Sequence, residues 1–221
     1  MAVIGLPIDY ATPKGSLRVL FGMATEAEYG QTLRERIQPL MTGVGPVEAA
    51  AATAHALALH QAAGAPIDLL ISLGSAGSRR LEHAELYQVA SVAYRDIDAS
   101  IFGFEPGVTP LLGLPPIIEL PYRLPALPAA SLSTGGCAIG HERYAQIAAD
   151  MVDMETYAVV RAAARFGVPV IGIRGISDGR EPVNGYEDWT RYLGDIDQKL
   201  SVLVDSLPAL LSEMVFSENP A

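Results

Sequence analysis

The 221-residue sequence predicts an α/β fold, and three observations carry that prediction. Apolar runs of strand length alternate along the chain with stretches of helical periodicity, the pattern of strands and helices layered around one sheet. One of those runs, VPVIGI (168–173), is apolar on every residue, as a parallel strand covered on both faces should be. Half of the residues are hydrophobic and only 18% are charged, which gives material for a substantial core and argues against disorder.

In chain order, residues 1–16 carry Pro7, Pro13 and Gly15 and read as an irregular leader; residues 17–221 read as a single domain. LRVLFG (17–22) is a short buried strand, and 26–37 is a weakly amphipathic helix. A glycine turn follows, with Pro46 at the first position of an Ala-rich helix that runs to about His60. DLLISLGSAGS (68–78) is a strand breaking into a glycine turn, and 86–92 is another strand. Prolines make 106–128 irregular, and 130–134 is a strand whose tip is GGCAIG. In the stretch 150–179, Ala158, Val159, Ala162, Ala163 and Phe166 share one helical face. Gly167 ends that helix, Pro169 cannot continue it, and the strand that follows ends at Ser177 and Asp178. Residues 192–214 form a last amphipathic helix that Pro208 should kink or split.

Several function classes drop out. The net charge of −10 offers no basic face for nucleic acid and disfavours anionic membrane surfaces. No apolar run is long enough to span a bilayer and no signal-peptide pattern opens the chain, so a soluble cytoplasmic protein is expected. Cys137 is the only cysteine, and the four histidines lack ligand spacing, so neither a disulfide framework nor a metal site is expected. GVG at 43–45 meets Glu48 where a dinucleotide fingerprint needs glycine, and no P-loop occurs. GISDG (175–179) is a literal G-x-S-x-G, yet every histidine precedes Ser177, the wrong order for a hydrolase triad.

What remains is a set of carboxylates placed among glycine turns. FGMATEAE, TGVGPVEAA, LGSAGS, YRDIDASIFGF, VDMETYA and VPVIGIRGISDG, in that order, resemble the nucleoside phosphorylase/nucleosidase superfamily from about Val19 to Asp178. Within it the likeness is greatest to the 5′-methylthioadenosine/S-adenosylhomocysteine nucleosidases. The resemblance implies a three-layer α/β/α fold around a twisted, mostly parallel mixed sheet. It also implies a homodimer, no cofactor, and cleavage of the N-glycosidic bond of a purine nucleoside.

Site residues follow from the same resemblance, and the chemistry fits them. Glycosidic cleavage passes through an oxocarbenium-like sugar, so the site needs negative charge beside the ring and a proton for the departing base. Asp178 would protonate purine N7, which requires surroundings that raise its pKa; Ser177 would orient it and Arg174 brace the strand tip. Glu155 would accept the ribose 2′- and 3′-hydroxyls, kept ionised by a helix N-terminus, with Met154 against the sugar. Asp153 would act from behind at most. Glu26 would activate the water, with Glu28 as the alternative in that short motif, and Met23 and Ser75 would sit near the sugar or the water. Phe102 and Phe104 would cover the 5′-substituent, partly across the dimer interface.

Some positions depart from the family pattern. Gly135-Gly136-Cys137-Ala138-Ile139 lacks the family's aspartate and its base-stacking phenylalanine, which leaves base contact to Ile139 and its backbone. Residues 179–193 form a candidate lid with Tyr186 and Trp189 available. A phosphate-dependent phosphorylase and a nucleoside-binding protein without turnover stand as the alternatives to a nucleosidase.

Overall fold

The structure, a computed structural model, describes residues 4–125, 127–183 and 185–213, the side chain of His141 excepted. Residues 1–3 of the predicted leader, the end of the predicted last helix at 214, the reading of His141 and the stretch 214–221 lie outside the described residues.

Among the described residues, nine strands form one mixed sheet: β1 (Ile8–Thr12), β2 (Gly15–Met23), β3 (Leu40–Met41), β4 (Leu69–Gly77), β5 (Leu86–Tyr94), β6 (Ile117–Glu119), β7 (Ala129–Thr134), β8 (Met151–Asp153) and β9 (Val170–Asp178). The helices are α1 (Gln31–Arg34), α2 (Pro46–Ala62), α3 (Thr156–Ala164), α4 (Tyr186–Thr190) and α5 (Leu193–Glu213). Strand alternation sorts the apolar residues into two cores. Val19, Phe21, Ile71, Leu73, Ile171 and Ile173 pack with Leu33 of α1 and with Ile196, Leu200 and Leu207 of α5. Leu20, Leu70, Val89, Leu132, Val170 and Ile176 pack with Ala49, Ala56 and Leu57 of α2 and with Ala158 and Ala163 of α3. Because both faces of β4 and β9 are covered, nearly every residue on them is buried, and three layers result.

The sheet also curls on itself. β4 pairs in parallel with β9, β9 antiparallel with β5, β5 in parallel with β7, and β7 in parallel with β8. β8 then returns to β4 through the single pair Gly77↔Val152, which closes a circuit of five strands. The carboxyl ends of β4, β7, β8 and β9 are brought together there, beside the turn that follows β2.

Four expectations need correction. Residues 8–12 are not irregular: β1 pairs antiparallel with β2 from Ile8↔Val19 to Thr12↔Gly15, with Tyr10 buried. Pro7 and Pro13 flank this edge strand, where a missing N–H costs little. The predicted helix over 26–37 is two pieces, a 3-10 turn (Glu26–Glu28) and α1, separated by Tyr29 and Gly30. Asp197 of α5 accepts from the amides of Thr32 (3.0 Å) and Leu33 (3.2 Å), so a distant carboxylate satisfies the start of α1. β6 interrupts the proline-rich stretch, and α5 runs through Pro208 without being split. Gly167 does sit in the left-handed region, at φ 68°, as a residue past a helix C-terminus should. No helix among the described residues is long and apolar enough to cross a membrane.

Candidate functional site

A cavity of about 330 Å³ opens where the strand ends meet. Its wall includes Glu28, Ser75, Ile139, Met154, Glu155, Ser177 and Asp178, contributed by five separate stretches of chain.

Asp178 closes β9, and the hydroxyl of Ser177 donates to its Oδ1 at 2.5 Å. Burial raises its pKa, and that bond opposes the rise without reversing it. A carboxyl group placed this way holds a proton to a higher pH than a solvated aspartate.

The structure corrects the assignment of Glu26. Thr25 caps the 3-10 turn by accepting from the amide of Ala27, and Glu26 points to solvent, where it pairs with Arg34 at 2.5 Å. Glu28 turns inward instead and is buried. Its Oε1 accepts from the amide (2.8 Å) and the hydroxyl (2.5 Å) of Ser75, and its Oε2 is buried without a hydrogen-bond partner among the described residues. Burial drives its pKa up, and the two Ser75 bonds resist. Trp189 on α4 donates its indole N–H to Ser75 Oγ at 3.0 Å. With that lone pair occupied, the Ser75 hydroxyl is held as a donor to Glu28.

Trp189 is the only tryptophan in the sequence, and it lines the cavity together with Val183. Arg180 pins the start of this segment to Glu82 through two bonds of 2.6 Å. Filling the cavity with a purine nucleoside is therefore expected to shift or quench the protein's tryptophan emission with a saturable titration. A flat titration under conditions of proven binding would contradict the placement of Trp189.

Glu155 occupies the residue before α3 but does not cap it. Asp153 takes that role: its Oδ2 accepts from the amide of Thr156 at 3.0 Å, and its Oδ1 from the hydroxyl of Thr134 at 2.6 Å. Asp153 is also the buried partner of Arg174 at 3.2 Å, and Arg174 donates further to Ser72 and Thr156. Arg174 thus lies behind the cavity wall, bonded to Asp153, Ser72 and Thr156, and does not line the cavity as a substrate-binding residue would. Met23, expected near the sugar or the water, is corrected: it is buried behind the wall, beside Arg174 in a small cavity backing Glu28 and Glu155.

Glu155 Oε1 accepts from the amide of Gly45, at 2.8 Å. Its pKa is pushed up to about 7, first by burial and then by the charge of Asp153; the Gly45 amide and Arg174 pull the other way. The expectation that a helix N-terminus keeps Glu155 ionised is therefore corrected, because Asp153 has taken the helix amide.

The sign of the linkage follows. A carboxyl whose folded pKa lies above its unfolded value of 4.5 costs no stability below that pH and its full cost above about 7. Glu155→Gln keeps an acceptor for Gly45 and removes the charge. It is expected to stabilise the fold by on the order of 3 kcal/mol at about pH 8 and by little at about pH 4. Denaturant titrations at the two pH values check this, and an equal effect at both would show that Glu155 is not the titrating group.

The remaining wall is largely apolar, with Cys137, Ala138, Ile139, Tyr144 and Val152. Arg95 lines it as well, held by the carbonyls of Ser133, Gly135 (3.2 Å), Cys137 (2.6 Å) and Asp153 (3.0 Å). Sequence reasoning missed Arg95 and Tyr144: Arg95 sits inside the YRDIDASIFGF stretch without being singled out, and no local motif marks Tyr144. Phe102 and Phe104 do not reach the cavity of their own chain; Phe102 is 80% exposed.

Comparison with known proteins places the chain in a family. The family model described as Phosphorylase superfamily matches residues 138–213. A 5′-methylthioadenosine/S-adenosylhomocysteine nucleosidase from Actinobacillus succinogenes is 30% identical over 169 residues, covering 67% of this chain and 70% of the relative. The nucleosidase of the same description from Haemophilus influenzae strain PittEE is 30% identical over 158 residues, 63% of this chain and 67% of the relative. Among solved structures, a Campylobacter jejuni nucleosidase superposes with a TM-score of 0.70 at 18% identity, over 88% of this chain and 98% of that one. A Colwellia psychrerythraea nucleosidase in complex with adenine gives 0.70 at 22% identity, over 87% and 95%. At those identities the superpositions speak for the fold, and the sequence relatives speak for the family. The chain belongs to the phosphorylase superfamily, among the 5′-methylthioadenosine/S-adenosylhomocysteine nucleosidases.

Proposed function

We propose that this protein hydrolyses the N-glycosidic bond of a purine nucleoside, with a 5′-thio-adenosine such as 5′-methylthioadenosine or S-adenosylhomocysteine as substrate. The observation that carries the proposal is the meeting of three carboxylates, Glu28, Glu155 and Asp178, around one cavity of nucleoside size. In this reading Asp178 delivers a proton to N7 as the bond to C1′ breaks, so the base leaves neutral. Glu155 accepts the ribose hydroxyls, and the nearby carboxylates favour the positive charge that develops on the sugar. Glu28, through the free Oε2, takes a proton from the water that attacks C1′. Base and free sugar result, and the proton gained by Glu28 balances the one lost by Asp178.

Water is favoured over phosphate as nucleophile by charge. An acidic cavity repels a dianion, and its lining arginine, Arg95, is already engaged by four carbonyls. Incubation with a panel of purine nucleosides, with and without phosphate, tests the proposal by the release of free base and free sugar. Strict dependence on phosphate, with a sugar phosphate as product, would replace hydrolysis by phosphorolysis.

The reading includes a homodimer in the cytoplasm. Ile101, Phe102 and Leu111, 80–92% exposed along one loop region, are apolar groups that a second copy could cover, which would let Phe102 and Phe104 reach the partner's 5′-subsite. Sedimentation at micromolar concentration reports on the dimer, and the free thiol of Cys137 accords with a reducing compartment.

A further inference from the structure

Tyr144 closes the wall beside Asp178, and nothing so far gives its hydroxyl a task. The side chain arrives from a 3-10 turn (His141–Gln146) and packs with Ile139 and Val152 in a small apolar cluster of its own. It is only 7% exposed, and its hydroxyl has no hydrogen-bond partner among the described residues. Two glycines make room for that oxygen. A Cβ at Gly77 would lie 2.1 Å from the Tyr144 hydroxyl and 3.0 Å from Asp178 Oδ2; a Cβ at Gly179 would lie 2.6 Å from the hydroxyl. Ser177 occupies Asp178 Oδ1, so Oδ2 is the oxygen left for a ligand, and the Tyr144 hydroxyl lies on its side of the carboxyl.

A buried hydroxyl without a partner is unfavourable unless a ligand supplies one. The surrounding wall offers little else: Cys137, Ala138, Ile139 and Val152 carry no strong hydrogen-bonding side chain. Resting on the reading that the cavity takes purine nucleosides, we infer that Tyr144 is a specificity residue for the leaving base, its hydroxyl meeting the 6-substituent while Asp178 Oδ2 meets N7. These two positions of a purine lie side by side on one edge, as the two protein oxygens do. A phenol accepts from a 6-amino group and donates to a 6-oxo group, so both kinds of base are served. Burial and the neighbouring Asp178 raise the phenol's pKa, so it keeps its proton at neutral pH. In this chain the hydroxyl compensates for the polar and aromatic side chains absent from residues 135–138.

Tyr144→Phe preserves the ring, and the test is a matched series of ribosides with one 5′-group and three bases: 6-amino, 6-oxo and unsubstituted at C6. Loss of the hydroxyl is expected to lower kcat/KM about tenfold for the first two and less than about twofold for the third. An equal loss on all three, which a wall residue of purely structural role would give, overturns the inference, and so does no loss. Calorimetric binding of free adenine and free purine reads the same contact without turnover, with affinity for adenine alone expected to fall about tenfold. Should the wild type bind these bases but cleave none of the ribosides, hydrolysis is refuted while the binding comparison still decides the role of Tyr144. Failure of the wild type to bind either base overturns both.

Discussion

Asp178→Asn is expected to lower kcat/KM for purine nucleosides by about 10²- to 10⁴-fold, the range that one positioned proton donor contributes. The substitution is nearly isosteric, and the amide oxygen can still accept the Ser177 hydroxyl that bonds Oδ1 at 2.5 Å. What disappears is the transferable proton. Two further readouts separate this from general damage. In the wild type the rate should fall as rising pH carries Asp178 through its elevated pKa, and that limb should be missing in the variant. A riboside whose leaving group departs without a proton should be cleaved by the variant with a much smaller deficit. Equal deficits on both kinds of leaving group would remove Asp178 from proton donation.

The parts of the fold visible in the sequence are those whose burial is decided locally. VPVIGI is apolar throughout because β9 is covered by α3 on one side and α5 on the other, and Pro46 marks the start of α2 because its missing N–H is harmless there. β8 was not legible: it has three residues, and its place depends on closure of the strand circuit through Val152. β1 was hidden because the prolines that bracket an edge strand also suggest irregular chain. At the site, Asp178, Ser177, Glu155, Met154, Ser75 and Ile139 come together as the sequence motifs suggest, since strand ends and glycine turns carry them. The charge state of Glu155 could not be read from its position before a helix, because Asp153 outcompetes it for the helix amide. Tyr144 was invisible for a related reason. Its role depends on space left by Gly77 and Gly179, which are far away in sequence.

The choice between Glu26 and Glu28 shows the same limit, and it yields the sharpest paired experiment. Thr-Glu-Ala-Glu gives two glutamates two residues apart on a single 3-10 turn, and local sequence does not say which faces inward. Tertiary contacts decide: Ser75 on β4 offers both its amide and its hydroxyl to Glu28, while Arg34 draws Glu26 outward. Glu28→Gln retains the Ser75 bonds but cannot take a proton from water, so kcat is expected to fall about 10²- to 10⁴-fold. KM should change little, because Glu28 is assigned to the water rather than the sugar. Glu26→Gln removes an exposed ion pair worth about 0–1 kcal/mol and should leave kcat and KM within about twofold. The pair of variants carries its own control, since both alter the same turn by the same chemistry. If Glu26→Gln were the inactive variant and Glu28→Gln the active one, the water would have to be activated from outside the cavity, and the arrangement of the site proposed for this chain would be wrong.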